Sequence, residues 1–421
     1  MPSLLDNIAF AYQPVWDRSR RLCATRLTLH ALHPRSVDVV ALLTALTETG
    51  SPKAPPVILA TDEPPLLVAL LRQAPVANTW IEVPEGVWAK PEALELLLAA
   101  RRFGHRLLWR GPLSRFAPYA KRFQGLHGML DLSVDDAVQA LRSQQQGGEF
   151  ALPAGVARIE SPILPEHFYL GVSSGALADH CLDKQRAWGL VGWPDDEQLS
   201  ATGHSPIAPD QRVMRQIMQA VDAEVPLHQL TALLVQDPVL VYRLLRMVNS
   251  AAFGLAHEVA AIRHALMMLG VDKLKGWLQK LYPIGTDDRN LHPVRHALHL
   301  RARLMRLLLD PNSDEELKGE IQLSGVFAGL DQLLKAPLAE LLHQLPLPGR
   351  IFSTLVRGDG PYVAYLETAR ALSNPDQVGQ VPGVCERSGF SLDEANRALL
   401  QLLATARDPV NQTFEPARVP G

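Results

Sequence analysis

Cysteine is scarce in this chain, and its scarcity limits the chemistry open to the protein. The 421 residues include three cysteines, Cys23, Cys181 and Cys385, which lie far apart in sequence. They form neither a Cys-x-x-Cys pair nor a Cys/His zinc spacing, so a disulfide framework and a structural zinc site are not expected. Reduced, buried thiols in the cytoplasm are the predicted state.

Long apolar runs and a dominant charge are also lacking. No stretch approaches the roughly 18 apolar residues of a membrane helix, and no basic segment precedes an apolar core, so neither a membrane span nor a signal peptide is predicted. The net charge is -3, from 41 basic and 44 acidic residues, which predicts no recruitment of nucleic acid. P-loop and Gly-x-Gly-x-x-Gly motifs are absent, which removes common nucleotide-binding chemistries.

The first part of the chain alternates short β-like runs with amphipathic segments. Helical patterns lie at 65–73, 91–103 and 134–143. This alternation predicts a parallel sheet, and the number of repeats favours a closed barrel over an open sheet. We therefore predict a shortened α/β barrel-like domain over residues 1–196. Its predicted strands are 8–15, 57–60, 80–83, 106–109, 129–132, 156–159 and 190–193.

The second part has a helical pattern throughout. A linker at 197–210, rich in Pro, Asp, Gly and Ser, separates it from the first part. Apolar stripes at helical spacing, with a capping box at Ser391 and Glu394, predict an all-α domain over 211–407. A flexible tail is predicted at 408–421.

The most informative run lies at 237–250, with the sequence Asp-Pro-Val-Leu-Val-Tyr-Arg-Leu-Leu-Arg-Met-Val-Asn-Ser. Asp237 suits the N-cap of a helix, and Pro238 suits its first position. Asn249 and Ser250 close the helix. We prefer a structural role for Asn249, in which its amide satisfies backbone groups, to a role in ligand contact.

This run and the following Ile262 to Gly270 run resemble the HDOD domain. That family comprises all-helical modules similar to HD phosphohydrolases but without their metal-binding His-Asp pair. The resemblance implies a helical fold, and it places Ala328 and Gly329 at the two positions of the pair. Neither residue can bind a metal. Asp331 follows two positions later and therefore faces another side of its helix.

A second resemblance concerns the barrel half. The run Tyr12-Gln13-Pro14-Val15-Trp16-Asp17, followed by Trp80 to Glu85, resembles EAL domains, the cyclic di-GMP phosphodiesterase barrels that bind two divalent cations through carboxylates. The segment 26–32 contains no Glu, and Trp109-Arg110-Gly111 stands where paired aspartates are expected. Glu82 and Asp131 remain, which is too few for two metals and an attacking water.

One further group has the spacing of metal ligands. His292, His296 and His299 stand at i, i+4 and i+7, which places them on one helix face. Catalytic zinc normally takes three protein ligands, so the cluster is a metal candidate. However, Pro293 places His292 at the helix entrance, and a polar helix face is the preferred interpretation. No catalytic residue, metal or cofactor is predicted.

The two resemblances together imply a bacterial EAL/HDOD protein in which both modules have lost metal ligands. We predict a non-enzymatic, cytoplasmic signal-transduction regulator or scaffold that contacts signalling proteins through its HDOD-like domain. The alternative is residual cyclic di-GMP phosphodiesterase or HD-type phosphohydrolase activity. A second alternative is a receptor that binds a cyclic dinucleotide without cleaving it. Neither nucleic acid nor membrane insertion is expected.

Overall fold

The computed structural model of the protein describes residues 5–33, 37–49, 54–146, 159–250 and 259–406. The chain divides into two compact units. Of the described residues, the first unit comprises those within 5–198, 371–386 and 390–406, and the second comprises those within 199–370 and 387–389. The predicted tail at 408–421 lies outside the described residues. The first unit is built on a β-sheet, and the described elements of the second are helices.

A closed eight-stranded barrel forms the centre of the first unit. Its strands are β1 (Ile8–Trp16), β2 (Leu22–Ala31), β3 (Val57–Ala60), β4 (Thr79–Pro84), β5 (Arg106–Pro112), β6 (His127–Asp131), β7 (Phe168–Leu170) and β8 (Gly189–Val191). From β2 to β8 each strand is parallel to the next. In contrast, β1 is antiparallel to both β2 and β8. The tight turn between β1 and β2 forces this pairing, because parallel neighbours require a long crossover.

The predicted barrel is observed, but two of its strands were not predicted. Strand β2 carries polar residues such as Arg26 and Thr28. Its segment 26–32 was compared with a metal-binding motif, and no strand was predicted there. Strand β7 has three residues and is too short to show a period of two. The predicted strand at 156–159 lies outside the described residues except for Ile159, which is not in a strand.

Helices follow most of the parallel strands. In α2 a proline occupies the first turn, where its missing N–H costs nothing, and one face of leucines is buried. The helices of this part of the chain are α1 (Val39–Thr49), α2 (Pro64–Arg72), α3 (Glu85–Trp88), α4 (Pro91–Phe103), α5 (Leu113–Arg122), α6 (Val134–Gln146), α7 (Gly175–Asp179) and α8 (Asp195–Ala201).

The C-terminal segment returns to the barrel, with helices α20 (Val381–Ser388) and α21 (Leu392–Ala404). The tight β1–β2 turn supplies no helix to cover β1, yet the successive residues 8–12 are all buried. Helix α21 packs against β1. Buried Asn396 donates to the carbonyl oxygens of Leu5 and Ile8 at 2.9 and 2.7 Å. The C-terminal helix therefore supplies the cover that the hairpin lacks.

This return corrects the predicted domain boundaries. The sequence assigned 211–407 to one helical domain after a linker at 197–210, whereas 371–386 and 390–407 belong to the barrel unit. The predicted capping box is observed at the start of α21, where Ser391 and Glu394 bond reciprocally. The helical periodicity was correct, but periodicity does not reveal which surface a helix covers.

The second unit is a helical assembly. Its helices are α9 (Gln211–Asp222), α10 (Leu227–Leu234), α11 (Pro238–Val248), α12 (Ile262–Leu269), α13 (Val271–Leu281), α14 (Leu291–Leu307), α15 (Glu315–Phe327), α16 (Leu330–Leu334), α17 (Leu338–His343), α18 (Gly349–Phe352) and α19 (Val363–Leu372). Among the described residues of the whole chain, no helix combines the length and the apolar character needed to cross a bilayer.

Candidate functional site

A buried arginine–glutamate pair lies inside the barrel. Arg26 on β2 donates from Nε to Glu82 Oε2 at 2.7 Å and from Nη2 to Oε1 at 2.9 Å. The two planar groups therefore meet in a bidentate arrangement, which is the strongest geometry for this pair. Burial opposes the charged guanidinium, but the combined attraction of Glu82, Asp62 and Asp131 raises the pKa of Arg26. Arg26 stays charged at any accessible pH.

A second guanidinium engages the same carboxylate. Arg110 Nε lies 3.0 Å from Glu82 Oε1, and its Nη1 donates to Asp62 Oδ1 at 3.0 Å. On the other side, Arg26 Nη1 donates to Gln13 Oε1 at 3.1 Å. We call Arg26, Glu82 and Arg110 the barrel cluster.

The remaining predicted carboxylate, Asp131, ends strand β6 near this cluster. Burial raises its pKa, and the charge of Arg110 opposes that rise. Glu82 and Arg110 lie in the later halves of β4 and β5. Since the ends of parallel strands meet at one edge, these residues share the end of the barrel where catalytic residues of such folds gather.

The divalent cations implied by the EAL resemblance do not fit the barrel cluster. Both oxygens of Glu82 already accept hydrogen bonds from Arg26, and Arg110 lies against one of them. A cation placed there would have to compete with these hydrogen bonds for the Glu82 oxygens, and two guanidinium charges would repel it. The residues at this end of the barrel therefore form a closed ion-pair network in place of a metal centre.

A different charge cluster ties helix starts together in the helical unit. Asp237 caps α11, with Oδ1 accepting from the N–H of Val239 at 2.9 Å, and Pro238 occupies the first position as predicted. Its Oδ2 accepts from the N–H of Asp210 at 2.6 Å. Asp210 in turn caps α9, accepting from Arg212 N–H at 2.7 Å. One carboxylate thus holds the starts of two helices.

Arg295 on α14 completes this second cluster. Its Nη1 lies 3.3 Å from Asp210 Oδ2 and 3.5 Å from Asp237 Oδ2, and all three side chains are buried. Burial raises the pKa of Asp237, while Arg295 lowers it. We call Asp210, Asp237 and Arg295 the cap cluster. The cap cluster joins α9, α11 and α14. Its two aspartates accept hydrogen bonds from backbone N–H groups, and Arg295 supplies the opposite charge.

Asn249 bridges two parts of the backbone. Its Nδ2 donates to the carbonyl oxygens of Leu245 and Val259 at 2.7 and 2.8 Å, and its Oδ1 accepts from Val259 N–H at 2.8 Å. The amide therefore satisfies backbone groups on both sides of a connection, which is the structural role preferred from the sequence. Ser250 Oγ donates to Met247 O at 2.7 Å. Gly270 has φ of 77°, which favours glycine at the turn between α12 and α13.

The three histidines line α14 and are buried. The ring centroids of His292 and His296 are 5.6 Å apart, and those of His296 and His299 are 5.8 Å apart. Arg212 donates to Nδ1 of His292 at 2.7 Å, which engages that lone pair and places a positive charge beside the cluster. Among the described residues, no three His, Cys, Asp or Glu side chains are grouped so as to hold a metal ion.

Burial also sets the charge of these histidines. Burial, together with the charges of Arg212 and Arg303, lowers the pKa of His296 to about 3. Burial lowers the pKa of His299 well below its ordinary value. Both rings are therefore neutral at physiological pH, and they form a neutral polar layer within the helical unit.

The caps, the Asn249 bridge and the Gly270 turn all lie in one continuous segment. Residues 207–280 match the HDOD domain. The HDOD prediction is confirmed for this segment. The cap cluster gives the domain's Asp-Pro start a physical role, because Asp237 anchors both α9 and α11.

The curated relatives of the chain are distant. A Vibrio cholerae protein named cyclic di-GMP phosphodiesterase CdgJ is 25% identical over 203 residues, covering 48% of this chain and 47% of that protein. The uncharacterized protein YuxH of Bacillus subtilis is 25% identical over 197 residues, covering 45% of this chain and 46% of that protein. The matches therefore span less than half the length of each relative. The MmoQ response regulator from Methylococcus capsulatus superposes with a TM-score of 0.39 at 16% identity, over 46% of this chain and 98% of that chain.

Beyond the HDOD domain, one of the two positions that the resemblance assigns to the HD metal pair is closely packed. Ala328 follows α15, and Gly329 precedes α16. A Cβ added to Gly329 would lie 2.9 Å from Leu298 Cδ2. A metal-binding side chain there would displace Leu298, so this position suits helix packing and does not suit a metal ligand.

Sequence reasoning missed the partners of the charged residues. Asp210 immediately precedes an amphipathic helix, and the N-cap preference is a signal that could have identified it. No local pattern marks Arg295 as buried among its neighbours on α14. The pairing of Arg26 with Glu82 joins residues that are 56 positions apart, and it depends on the strand order of the barrel.

Proposed function

We propose that the protein is a non-enzymatic, cytoplasmic regulator of signalling related to cyclic di-GMP, acting through protein–protein contacts of its HDOD-containing unit. The observation that carries the non-enzymatic part is the barrel cluster. Two-metal hydrolysis requires carboxylates that are free to bind cations and a water to attack phosphorus. Here the buried carboxylate is committed to Arg26 and Arg110.

The energetics of the cluster support a structural role. Breaking a buried, hydrogen-bonded ion pair by removing one partner costs about 3 to 5 kcal/mol, because the other charge stays buried. A metal-dependent cycle through Glu82 would require the carboxylate to exchange its guanidinium partners for cations. The arrangement therefore favours a fixed scaffold over a site that turns over.

The link to cyclic di-GMP comes from a relative. The Vibrio cholerae protein is named a cyclic di-GMP phosphodiesterase, at 25% identity. The HDOD match at 207–280 supports a signalling role for the helical unit. We infer that this chain belongs to the same signalling context without performing the hydrolysis.

Direct assay tests the non-enzymatic claim. The full-length protein is incubated with cyclic di-GMP and Mg²⁺ or Mn²⁺, and linear product is followed by chromatography. We expect no product above the buffer control. Turnover that is abolished by Asp131→Asn, which changes the carboxylate at the end of β6, would overturn the proposal and favour residual phosphodiesterase activity.

A non-cleaving receptor is the second candidate function. The side chain of Arg110 is 28% exposed at the end of the barrel and carries a charge that suits a phosphate. Calorimetric titration of the full-length protein with cyclic di-GMP tests this function. Binding that is lost on Arg110→Ala would establish the receptor, whereas the scaffold proposal predicts no heat of binding.

A further inference from the structure

The end of the barrel at which the parallel strands begin lies opposite the barrel cluster and is rich in basic residues. Three segments enter strands there, 71–80 at β4, 99–109 at β5 and 117–130 at β6. They contain six lysine and arginine residues and no aspartate or glutamate, in a chain whose net charge is -3. The six residues are Arg72, Arg101, Arg102, Arg106, Lys121 and Arg122.

Hydrogen bonds hold the three segments side by side. The Nε2 atom of His105 lies 2.9 Å from the carbonyl oxygen of Gln73, which joins the segments that enter β5 and β4. Arg101 Nη2 donates to the carbonyl oxygen of Gln124 at 3.0 Å, which joins the segments that enter β5 and β6. The six basic residues therefore share one surface, which we call the strand-start face.

Aromatic rings, and not carboxylates, lie beneath two of these cations. The guanidinium carbon of Arg106 is 5.7 Å from the ring centroid of Trp80, and that of Arg122 is 5.3 Å from the ring centroid of Phe123. Each contact orders the arginine without neutralising its charge. Trp80 and Phe123 are only 5% and 8% exposed, so their rings do not offer a stacking platform to nucleic-acid bases.

Neither the neighbouring loops nor the helix ends account for the whole charge. Glu166, before β7, donates its backbone N–H to Arg186 O at 3.1 Å, and this pair adds one charge of each sign. The last turns of α4 and α5 carry basic residues, which complement the helix dipoles. Arg106 lies outside both helices at the start of β5, so the dipoles do not explain its position.

Phe103 gives the strand-start face an apolar point. It is the last residue of α4, next to Arg102, and it is 73% exposed. A single exposed apolar residue needs no explanation by itself. An exposed aromatic ring beside unneutralised arginines, however, is the combination that binds the interface of an anionic bilayer, where the ring enters the headgroup boundary and the cations meet phosphates.

We propose that the strand-start face docks the protein on an anionic phospholipid surface. Each lysine or arginine near such a surface contributes roughly fivefold in affinity. A bilayer requires positive charge and an interfacial side chain but no matching pocket, and the strand-start face with Phe103 supplies both. This contact is peripheral, goes beyond the proposed function and uses no residue of the barrel cluster.

Co-sedimentation with vesicles tests the proposal. Full-length protein is mixed with vesicles of phosphatidylcholine alone or of phosphatidylcholine with phosphatidylglycerol. We expect binding to the anionic vesicles only, and weaker binding with added salt, because the charges are exposed. Arg102→Gln/Lys121→Gln should lower the partition coefficient about tenfold or more. Phe103→Ser should lower it about threefold or more, because the interfacial ring is lost.

The matched control is Lys90→Gln/Arg115→Gln, which removes the same charge from the opposite end of the barrel. Lys90 precedes α4, and Arg115 lies in the first turn of α5. The control should leave vesicle binding unchanged. All of the changed side chains are exposed, so thermal unfolding of each variant should match that of the unchanged protein.

Three results would overturn the membrane proposal. These are equal binding to neutral and anionic vesicles, no binding to either, and insensitivity to Arg102→Gln/Lys121→Gln or to Phe103→Ser. A loss in the control as large as that in Arg102→Gln/Lys121→Gln would also contradict it, because charge at any place would then suffice. Binding of single-stranded RNA or polyglutamate that Arg102→Gln/Lys121→Gln abolishes, without vesicle binding, would assign the face to nucleic acid or to an acidic protein instead.

Discussion

The two buried charge clusters have opposite compositions. In the barrel cluster two arginines converge on one glutamate, whereas in the cap cluster one arginine lies between two aspartates. The barrel carboxylate is satisfied by side chains, and the aspartates are satisfied mainly by the N–H groups of helix starts. The comparison teaches that buried arginine–carboxylate pairs join strands of the barrel in one unit and join helices in the other.

Asp237→Ala should give the largest effect, because it damages the cap cluster in three ways. The start of α11 loses its cap, the N–H of Asp210 loses its acceptor, and Arg295 loses a counter-charge. We expect a loss of about 3 to 5 kcal/mol in the free energy of unfolding of the helical unit. Urea unfolding of the full-length protein measures it.

Asp237→Asn sharpens the same prediction, since an amide oxygen can still cap the helix while the charge is lost. Its loss should be smaller than that of Asp237→Ala. The control is Asp222→Ala, an exposed partner of Lys275, which should change stability little. A loss for Asp237→Ala no larger than that of this control would contradict the cap cluster.

The barrel cluster should respond unequally to loss of its two arginines. Arg26→Met removes the buried bidentate partner of Glu82 and should destabilise the barrel by about 2 to 4 kcal/mol, less than for a fully unpaired buried charge because Arg110 still contacts Glu82. Arg110→Met removes a side chain that is 28% exposed and should cost at most about 1 kcal/mol. Thermal unfolding of the two variants measures the difference. Equal losses would mean that the two guanidinium groups hold Glu82 alike.

Asn249→Leu tests an uncharged polar side chain that, like the cap cluster, is bonded to the backbone. The change removes two donated hydrogen bonds and one accepted bond, so we expect a loss of about 1 to 3 kcal/mol. Ser250→Ala at the neighbouring exposed position should stay within about 0.5 kcal/mol. An unchanged unfolding midpoint for Asn249→Leu, together with lost partner binding, would instead give Asn249 a functional role.

The smallest expected effect concerns pH. Burial lowers the pKa of His296 to about 3, so between pH 6.5 and 3 the unfolded chain binds a proton that the folded chain does not. The stability contribution is therefore complete above pH 6.5 and falls as the pH drops. We expect a loss of about 1 kcal/mol from His296 between pH 6.5 and 5.5.

Chemical denaturation at these two pH values measures that loss. His296→Gln should reduce the slope of stability against pH, whereas His343→Gln, at an exposed position, should leave it unchanged. An identical slope in the His296 variant would show that other groups control the acid response of the helical unit.

Local physics made the helix starts and most of the barrel strands predictable. Asp237 and Pro238 have conformational preferences that act within a few residues, and short apolar runs between turns identified β1 and β3 to β6. Strand β2 was missed because it carries polar residues such as Arg26, whose charge is neutralised by Glu82 on a different strand.

The long-range pairings required the fold. Helix α21 has a clear amphipathic pattern, which predicts a helix with one buried face. No local pattern predicts that this face covers β1, which lacks a crossover helix. The same holds for the barrel cluster, whose members come from three strands. Sequence singled out Glu82 and Asp131, and only the strand order revealed that Arg26 and Arg110 contact Glu82.

Divalent cation binding tests the central claim most directly. The full-length protein, freed of metal by chelation, is titrated with Mn²⁺ and bound metal is counted by electron paramagnetic resonance. If Arg26 and Arg110 occupy the coordination positions of Glu82, the account predicts no stoichiometric site. One or two tightly held Mn²⁺ per chain, lost on Glu82→Gln or Asp131→Asn, would contradict it, and loss on His296→Ala would place the metal on the α14 histidines instead.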